Sequence, residues 1–259
     1  MLELPQPLPP GALCDRPDDL LAETLEVTGA HWWTGAGLTA DHAGAVTGWA
    51  PRLGPVTAVP TAPNTGNARI AAAGDLAGLQ CRDGLHCGLV AETVVQDART
   101  VTLAVRYLPS WGEEARTVLT LNTGGAVKKG EDENYLFLSE AEGRITVKDD
   151  QGLVEATLPA PAGDQSRLVV VSLDGTRLAV ALPGGAEAAA TARAPVLSGA
   201  ASLFFGCRNQ RPKLLKTLGG ALIADVWLWP GRALLLSDAE ADRAPILALR
   251  RYRVWTEFA

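Results

Sequence analysis

The chain has 259 residues, 47% of them hydrophobic and 20% charged, with a formal net charge of −6. It is long enough to bury a core without disulfide or metal staples, and too apolar for a disordered chain. No apolar run approaches the roughly 18–20 residues that a membrane span needs, and the acidic balance argues against nucleic acid as a partner.

Pro5, Pro7, Pro9 and Pro10 exclude helix and sheet pairing from the start of the chain, so residues 1–28 are expected to form an arm. Within it, the acidic first turn and Leu pair of Arg16-Pro17-Asp18-Asp19-Leu20-Leu21-Ala22 predict a short helix. Met1–Pro5 has neither a basic leader nor an apolar run. The expectation is therefore a protein made in the cytoplasm without a secretory signal. Of the four cysteines, Cys14, Cys81, Cys87 and Cys207, the middle pair brackets Arg82-Asp83-Gly84-Leu85-His86. That stretch offers a metal site or the closure of a small loop, but its spacing matches no CxxC zinc pattern and a fourth ligand would have to come from elsewhere, so free, partly buried thiols are expected.

From about residue 99 the pattern has a period of two. Thr100–Tyr107 alternates, and Asn134–Leu138 and Arg144–Lys148 flank a Gly143 turn. Asp149-Asp150-Gln151-Gly152 turns the chain toward Leu153–Leu158. Arg167–Leu173 and Thr176–Leu182 surround Asp174-Gly175, which predicts a type I′ hairpin. Ala201–Cys207 and Ala221–Trp229 add two more strands. Short strands at this spacing imply an all-β, antiparallel sandwich or barrel, assigned to one domain over residues 29–259. Ser237-Asp238-Ala239-Glu240 has the form of a capping box, Pro245 is expected to stop that helix after about two turns, and Arg250–Trp255 reads as a strand.

Leu203-Phe204-Phe205-Gly206, a polar loop and Gly219–Trp229, continued by Gly231-Arg232-Ala233-Leu234 and Ser237–Glu240, resemble the closing stretch of concanavalin A-like (laminin G-like) jelly rolls. Val169–Leu182 is similar to that family's preceding hairpin. Gly44–Trp49 and Arg52-Leu53-Gly54 are similar to the opening of its bacterial and phage members. The likeness is continuous over about residues 165–245 and patchy over 30–160. Cys207 replaces a common second glycine, and the Arg208–Leu218 loop is longer and more basic than usual. The resemblance implies a two-sheet sandwich whose rim or concave face often binds carbohydrate, sometimes with calcium and with no other cofactor.

Glycosidases of that family carry paired carboxylates in an ExDxxE pattern, which is absent here. Asp238-Ala239-Glu240-Ala241-Asp242 is better explained as a helix start, and Glu131-Asp132-Glu133 as a solvated loop or a calcium contact. His31, His42 and His86 accompany no Gly-x-Ser-x-Gly elbow, and no phosphate-cradling loop precedes a helix. The chain is therefore expected not to be an enzyme.

Sugar binding needs aromatic faces together with amide or guanidinium donors. Trp227 and Trp229 share a strand face and are assigned to packing, as is Trp49; of Trp32 and Trp33, one ring is expected to pack and the other to stay exposed. Trp111 sits at the tip of Pro109–Glu114, where stacking on a sugar and packing weigh evenly. Arg208-Asn209-Gln210-Arg211 corresponds to a rim loop of the resembled family. Its donors suit hydroxyls or acidic sugars, against the plainer reading of a solvated basic loop. Asn122 and Asp132 are placed at the same rim. The candidate carbohydrate-binding residues are thus Trp111, Asn122, Arg208, Asn209 and Arg211. They point to a lectin-like module for a cell-surface polysaccharide, a receptor-binding component of a phage or phage-like particle anchored to a partner protein through the arm. A homo-oligomer is compatible with that setting. The alternatives are a structural decoration protein making only protein–protein contacts, and a glycoside hydrolase.

Overall fold

Strands whose side chains alternate between two faces build two large antiparallel sheets. The computed structural model describes residues 16–62, 64, 66–74, 76–109, 116–124, 134–163, 165–209 and 218–257. The eight-stranded sheet runs in the order Glu187–Thr191, Arg177–Ala181, Arg167–Asp174, Thr100–Leu108, Leu222–Pro230, Leu76–Gln80 and Arg69–Ala73, with His31–Thr34 also paired to Leu222–Pro230. The seven-stranded sheet runs Glu155–Pro159, Arg144–Asp149, Tyr135–Ala141, Arg116–Asn122, Ala201–Phe205, Leu89–Val95 and Val59–Pro60. Leu103, Val105, Val169 and Val171 of the first sheet meet Leu119, Leu121, Leu136 and Leu203 of the second in the central core. Phe205 closes one end against Trp33 and Trp49, at ring-centroid separations of 5.4 and 5.2 Å.

Two of the tight hairpins, both within the described residues, use different turns. Ala141 pairs with Arg144 across Glu142-Gly143, both at positive φ (48° and 70°), as a type I′ turn requires. Asp174 pairs with Arg177, so the second loop is Gly175-Thr176 rather than Asp174-Gly175. Of those two residues only Gly175 has positive φ (61°), which matches a type II′ turn and corrects the expected I′. Asp174 stays in the strand, where its carboxylate accepts from Arg177 and, at 3.2 Å, from Thr100 Oγ1.

Helix α1 (Pro17–Glu26) begins as expected, with proline in its first turn beside Asp18 and Asp19. Helix α2 (Glu240–Glu257) corrects two expectations, because it continues through Pro245 and takes in residues 250–255. Proline lacks the N–H that would reach the Ala241 carbonyl; Arg232 Nη2 donates to that oxygen instead, at 3.0 Å. The strand-like composition of the segment is overridden by burial of Leu249 and Tyr252 on one helix face. Ser237 Oγ accepts from the Ala239 N–H at 3.2 Å, just ahead of the helix.

Both helices lie on the outer face of the eight-stranded sheet. Leu21 and Leu25 of α1, with Leu249 and Tyr252 of α2, cover Trp32, Trp227, Trp229, Leu168 and Val170. Trp32 and Trp33 are consequently both 0% exposed. Successive strand residues face opposite sides, and here both sides are covered, so the expected exposed ring does not occur. Beneath α2, Trp32 Nε1 donates to Asp225 at 3.1 Å and Arg106 lies 3.9 Å from the same carboxylate. Burial lifts the Asp225 pKa to about 6 against the opposing pull of Arg106.

Candidate functional site

Among the described residues no helix covers the outer face of the seven-stranded sheet. Its registers set Tyr135, Asn122 and Ser202 side by side in one row, and Phe137, Thr120, Phe204 and Val90 in the next. Along Ala201–Phe205, Leu203 and Phe205 enter the central core, which turns Ser202 and Phe204 outward.

Beside Ser202 the ladder is interrupted. Ala201 pairs with Val95 and Leu203 with Ala91, so Glu92, Thr93 and Val94 stand opposite Ser202 alone. This bulge holds Thr93 at a φ of 49°, a costly conformation for a β-branched residue. The Thr93 N–H donates to Ser202 Oγ at 3.0 Å, and the side chains of Glu92 and Thr93 are exposed. Backbone strain of this kind concentrates at ligand sites.

The bulge walls a cleft of about 300 Å³, with Glu92, Thr93, Asn122 and Ser202 around it and Phe204 and Val90 as apolar lining. Asn122 Oδ1 accepts the Gly124 N–H at 2.7 Å, which orients the amide so that its Nδ2 donors have no acceptor among the described residues. The cleft thus offers an amide donor, a hydroxyl and a carboxylate acceptor, with Phe204 and Val90 buried beneath them. Neighbouring Thr120 is fully buried, with its Oγ1 unpartnered.

Arg208 lies on the same sheet face. Its guanidinium sits 3.8 Å from the Phe137 ring centroid, and its Nε donates to Thr117 Oγ1 at 3.1 Å. Phe137 and Phe204 flank Thr120 on either side, so roughly 10 Å of sheet separates the two aromatics. Asn209 is 5% exposed and turned into the protein. Asn122 is therefore the candidate that lines the cleft, Arg208 forms a separate platform, and Trp111 and Arg211 lie outside the described residues, as do Glu131–Glu133.

Cys81, Cys87 and Cys207 are free and buried. The described residues contain no group of three or more His, Cys, Asp or Glu suited to a metal ion. None of their helices is long and apolar enough to cross a membrane.

No family model and no curated protein matches the sequence. Among solved structures, Trypanosoma rangeli sialidase in complex with sialic acid superposes at a TM-score of 0.58 and 15% identity, over 86% of this chain and 33% of the sialidase. The fold is the concanavalin A-like lectin/glucanase β-sandwich. A mutant of the same sialidase displaying trans-sialidase activity matches at 0.58 and 14%, over 91% of this chain and 38% of the other. An arabinofuranosidase complexed with arabinofuranosyl-alpha-1,2-xylobiose matches at 0.50 and 12%, over 79% and 51%. The chain spans about a third of the length of the sialidases, and at these identities the likeness is one of fold.

Within this jelly roll, sequence reasoning placed Asn122 at a rim but missed Glu92, Thr93, Ser202 and Phe204. Alternation signals that Ser202 and Phe204 turn away from the core. Their meeting with Asn122 and the bulge depends on pairing between distant strands, for which a single sequence carries no signal.

Proposed function

We propose that this jelly roll is a non-enzymatic carbohydrate-binding module whose site is the cleft between Asn122, Ser202 and the Glu92-Thr93 bulge. The observation that carries the reading is the cleft's chemistry. An oriented amide and a hydroxyl face a carboxylate acceptor above the buried side chains of Phe204 and Val90, a polar set suited to the hydroxyls of a sugar. Glu92 is the one carboxylate among the described lining residues, whereas glycoside hydrolysis ordinarily uses two. The Arg208–Phe137 platform supplies a second contact for a ligand longer than one residue, which favours a polysaccharide. A place on the surface of a phage or phage-like particle, receptor-binding there, is part of the proposal. It rests on the family resemblance and the proline-rich arm.

A panel of bacterial surface polysaccharides tests the site. Wild type is expected to bind at least one of them, and Asn122→Ala and Ser202→Ala are each expected to weaken that binding tenfold or more while leaving the thermal midpoint within a few degrees. Absence of wild-type binding across the panel would end the reading. Full affinity in both variants would remove the site from the cleft.

A further inference from the structure

Cys207 converges on Cys81 and Cys87 although it is distant in sequence, and the candidate binding site uses none of the three. Two glycines make the room. A Cβ on Gly206 would lie 2.3 Å from Cys81 Sγ, and one on Gly88 would lie 2.4 Å from Cys207 Sγ. The Cys81 and Cys87 thiols hydrogen-bond to each other, and the Arg82 backbone N–H donates to Cys87 Sγ at 3.2 Å. Arg82 and Asp83 are exposed, so the short turn that joins the two cysteines lies at the surface. That turn is held at both sides, through Gly84 N–H to the Leu218 carbonyl at 3.1 Å and Arg82 Nη1 to the Gly66 carbonyl at 2.9 Å.

We propose that Cys81 and Cys87 are a redox pair that closes a reversible disulfide across the 82–86 turn when the protein meets a hydroperoxide.

The environments divide the roles. Cys87 is lowered to about 7, first by its hydrogen bond from Cys81 and further by the backbone N–H of Arg82, so it supplies the thiolate. Cys81 is pushed well up, first by that same hydrogen bond and then by burial, and so retains its proton. Cys207 is raised by burial too, so it also retains its proton. In the first step the Cys87 thiolate attacks one peroxide oxygen. An S–O bond forms, the O–O bond breaks, and hydroxide or alkoxide leaves, giving a sulfenic acid. In the second step the Cys81 sulfur attacks the Cys87 sulfur. The S–S bond forms, the S–O bond breaks, and the departing hydroxide takes the Cys81 proton and leaves as water. Both sulfurs are oxidised and one peroxide is reduced.

The test treats the full chain with one to two equivalents of hydrogen peroxide, blocks the remaining thiols with an alkylating agent in denaturant, and maps peptides without reduction. The expected result is a fall from four alkylatable thiols to two, a cross-link between the peptides holding Cys81 and Cys87, and complete reversal by dithiothreitol. Cys87→Ser should abolish the cross-link, while Cys207→Ser should leave it in place. Retention of all four thiols, a cross-link that maps to Cys207 or Cys14, or oxidation of Cys87 to sulfinic acid without a cross-link would each overturn the proposal. Mapping on wild type does not depend on the variants folding.

Discussion

Thr93→Gly separates what stabilises this jelly roll from what prepares its cleft. Thr93 holds a φ of 49° and its side chain is exposed, so replacement forfeits no buried surface. The bond to Ser202 Oγ comes from the backbone N–H and survives the change. A left-handed conformation costs an L-residue about 1–2 kcal/mol, and glycine is spared that cost. Glycine in turn loses about 0.5–1 kcal/mol more than alanine when an extended segment orders it. The difference favours the variant by about 0–1.5 kcal/mol, which for a chain of this size corresponds to a rise of up to roughly 6 °C in the thermal midpoint. Polysaccharide affinity should move the opposite way and fall several-fold, because a glycine bulge samples conformations in which Glu92 and Ser202 no longer flank one opening. Calorimetry and a binding titration on the same preparation read both quantities. A lower midpoint would show that the positive φ stores no strain, and a higher midpoint with undiminished binding would show that the bulge does not organise the site.

Asp225 gives a pH dependence with a defined sign. Its folded pKa of about 6 lies above the unfolded carboxylate value, so the native state binds the proton more tightly. Its contribution is complete below about pH 4 and is lost as pH rises through 6. Urea midpoints between pH 4 and 7 should therefore fall less steeply with rising pH in Asp225→Asn than in wild type; parallel slopes would refute the assignment. Arg232 bonds both to Asp242 and to the Ala241 carbonyl that Pro245 leaves unserved. Arg232→Ala should cost about 1–3 kcal/mol in chemical denaturation. In a Pro245→Ala background the cost should be smaller, since the restored N–H then serves Ala241; equal costs in both backgrounds would refute the compensation.

Much of the fold was legible in local chemistry. Alternation located the strands at Thr100–Leu108 and Arg144–Asp149, and apolar runs beside turn residues located Arg167–Asp174 and Leu222–Pro230, each to within a residue or two. What local chemistry misplaced was decided by distant partners. Arg250–Trp255 has the β-branched and aromatic composition of a strand. It becomes helix because Leu249 and Tyr252 find an apolar sheet face beneath them, and because a guanidinium from the preceding loop repairs the proline defect. Trp33 and Trp32 were read as one packed and one exposed ring for a similar reason. The second ring's cover comes from helices at the two ends of the described chain, which period-two reasoning does not see.

The site follows the same division. Asn122 and Arg208 were visible as donors at a rim, yet their roles diverge through their neighbours. Asn122 spends its carbonyl on Gly124 and leaves its amide nitrogen without an acceptor among the described residues, whereas Arg208 stacks on Phe137 and binds Thr117. An arginine so held presents its flat guanidinium face as a surface while part of its donor set is already occupied. It is better suited to stacking on a sugar ring than to capturing a free carboxylate, which calls for an open bidentate fork. The row from Phe137 through Thr120 to Phe204 is buried, yet it underlies both Arg208 and the cleft on one face of the seven-stranded sheet. The spacing of the two platforms is therefore fixed by the hydrogen-bonded ladder rather than by loops, and a ligand that bridges them would be selected by length.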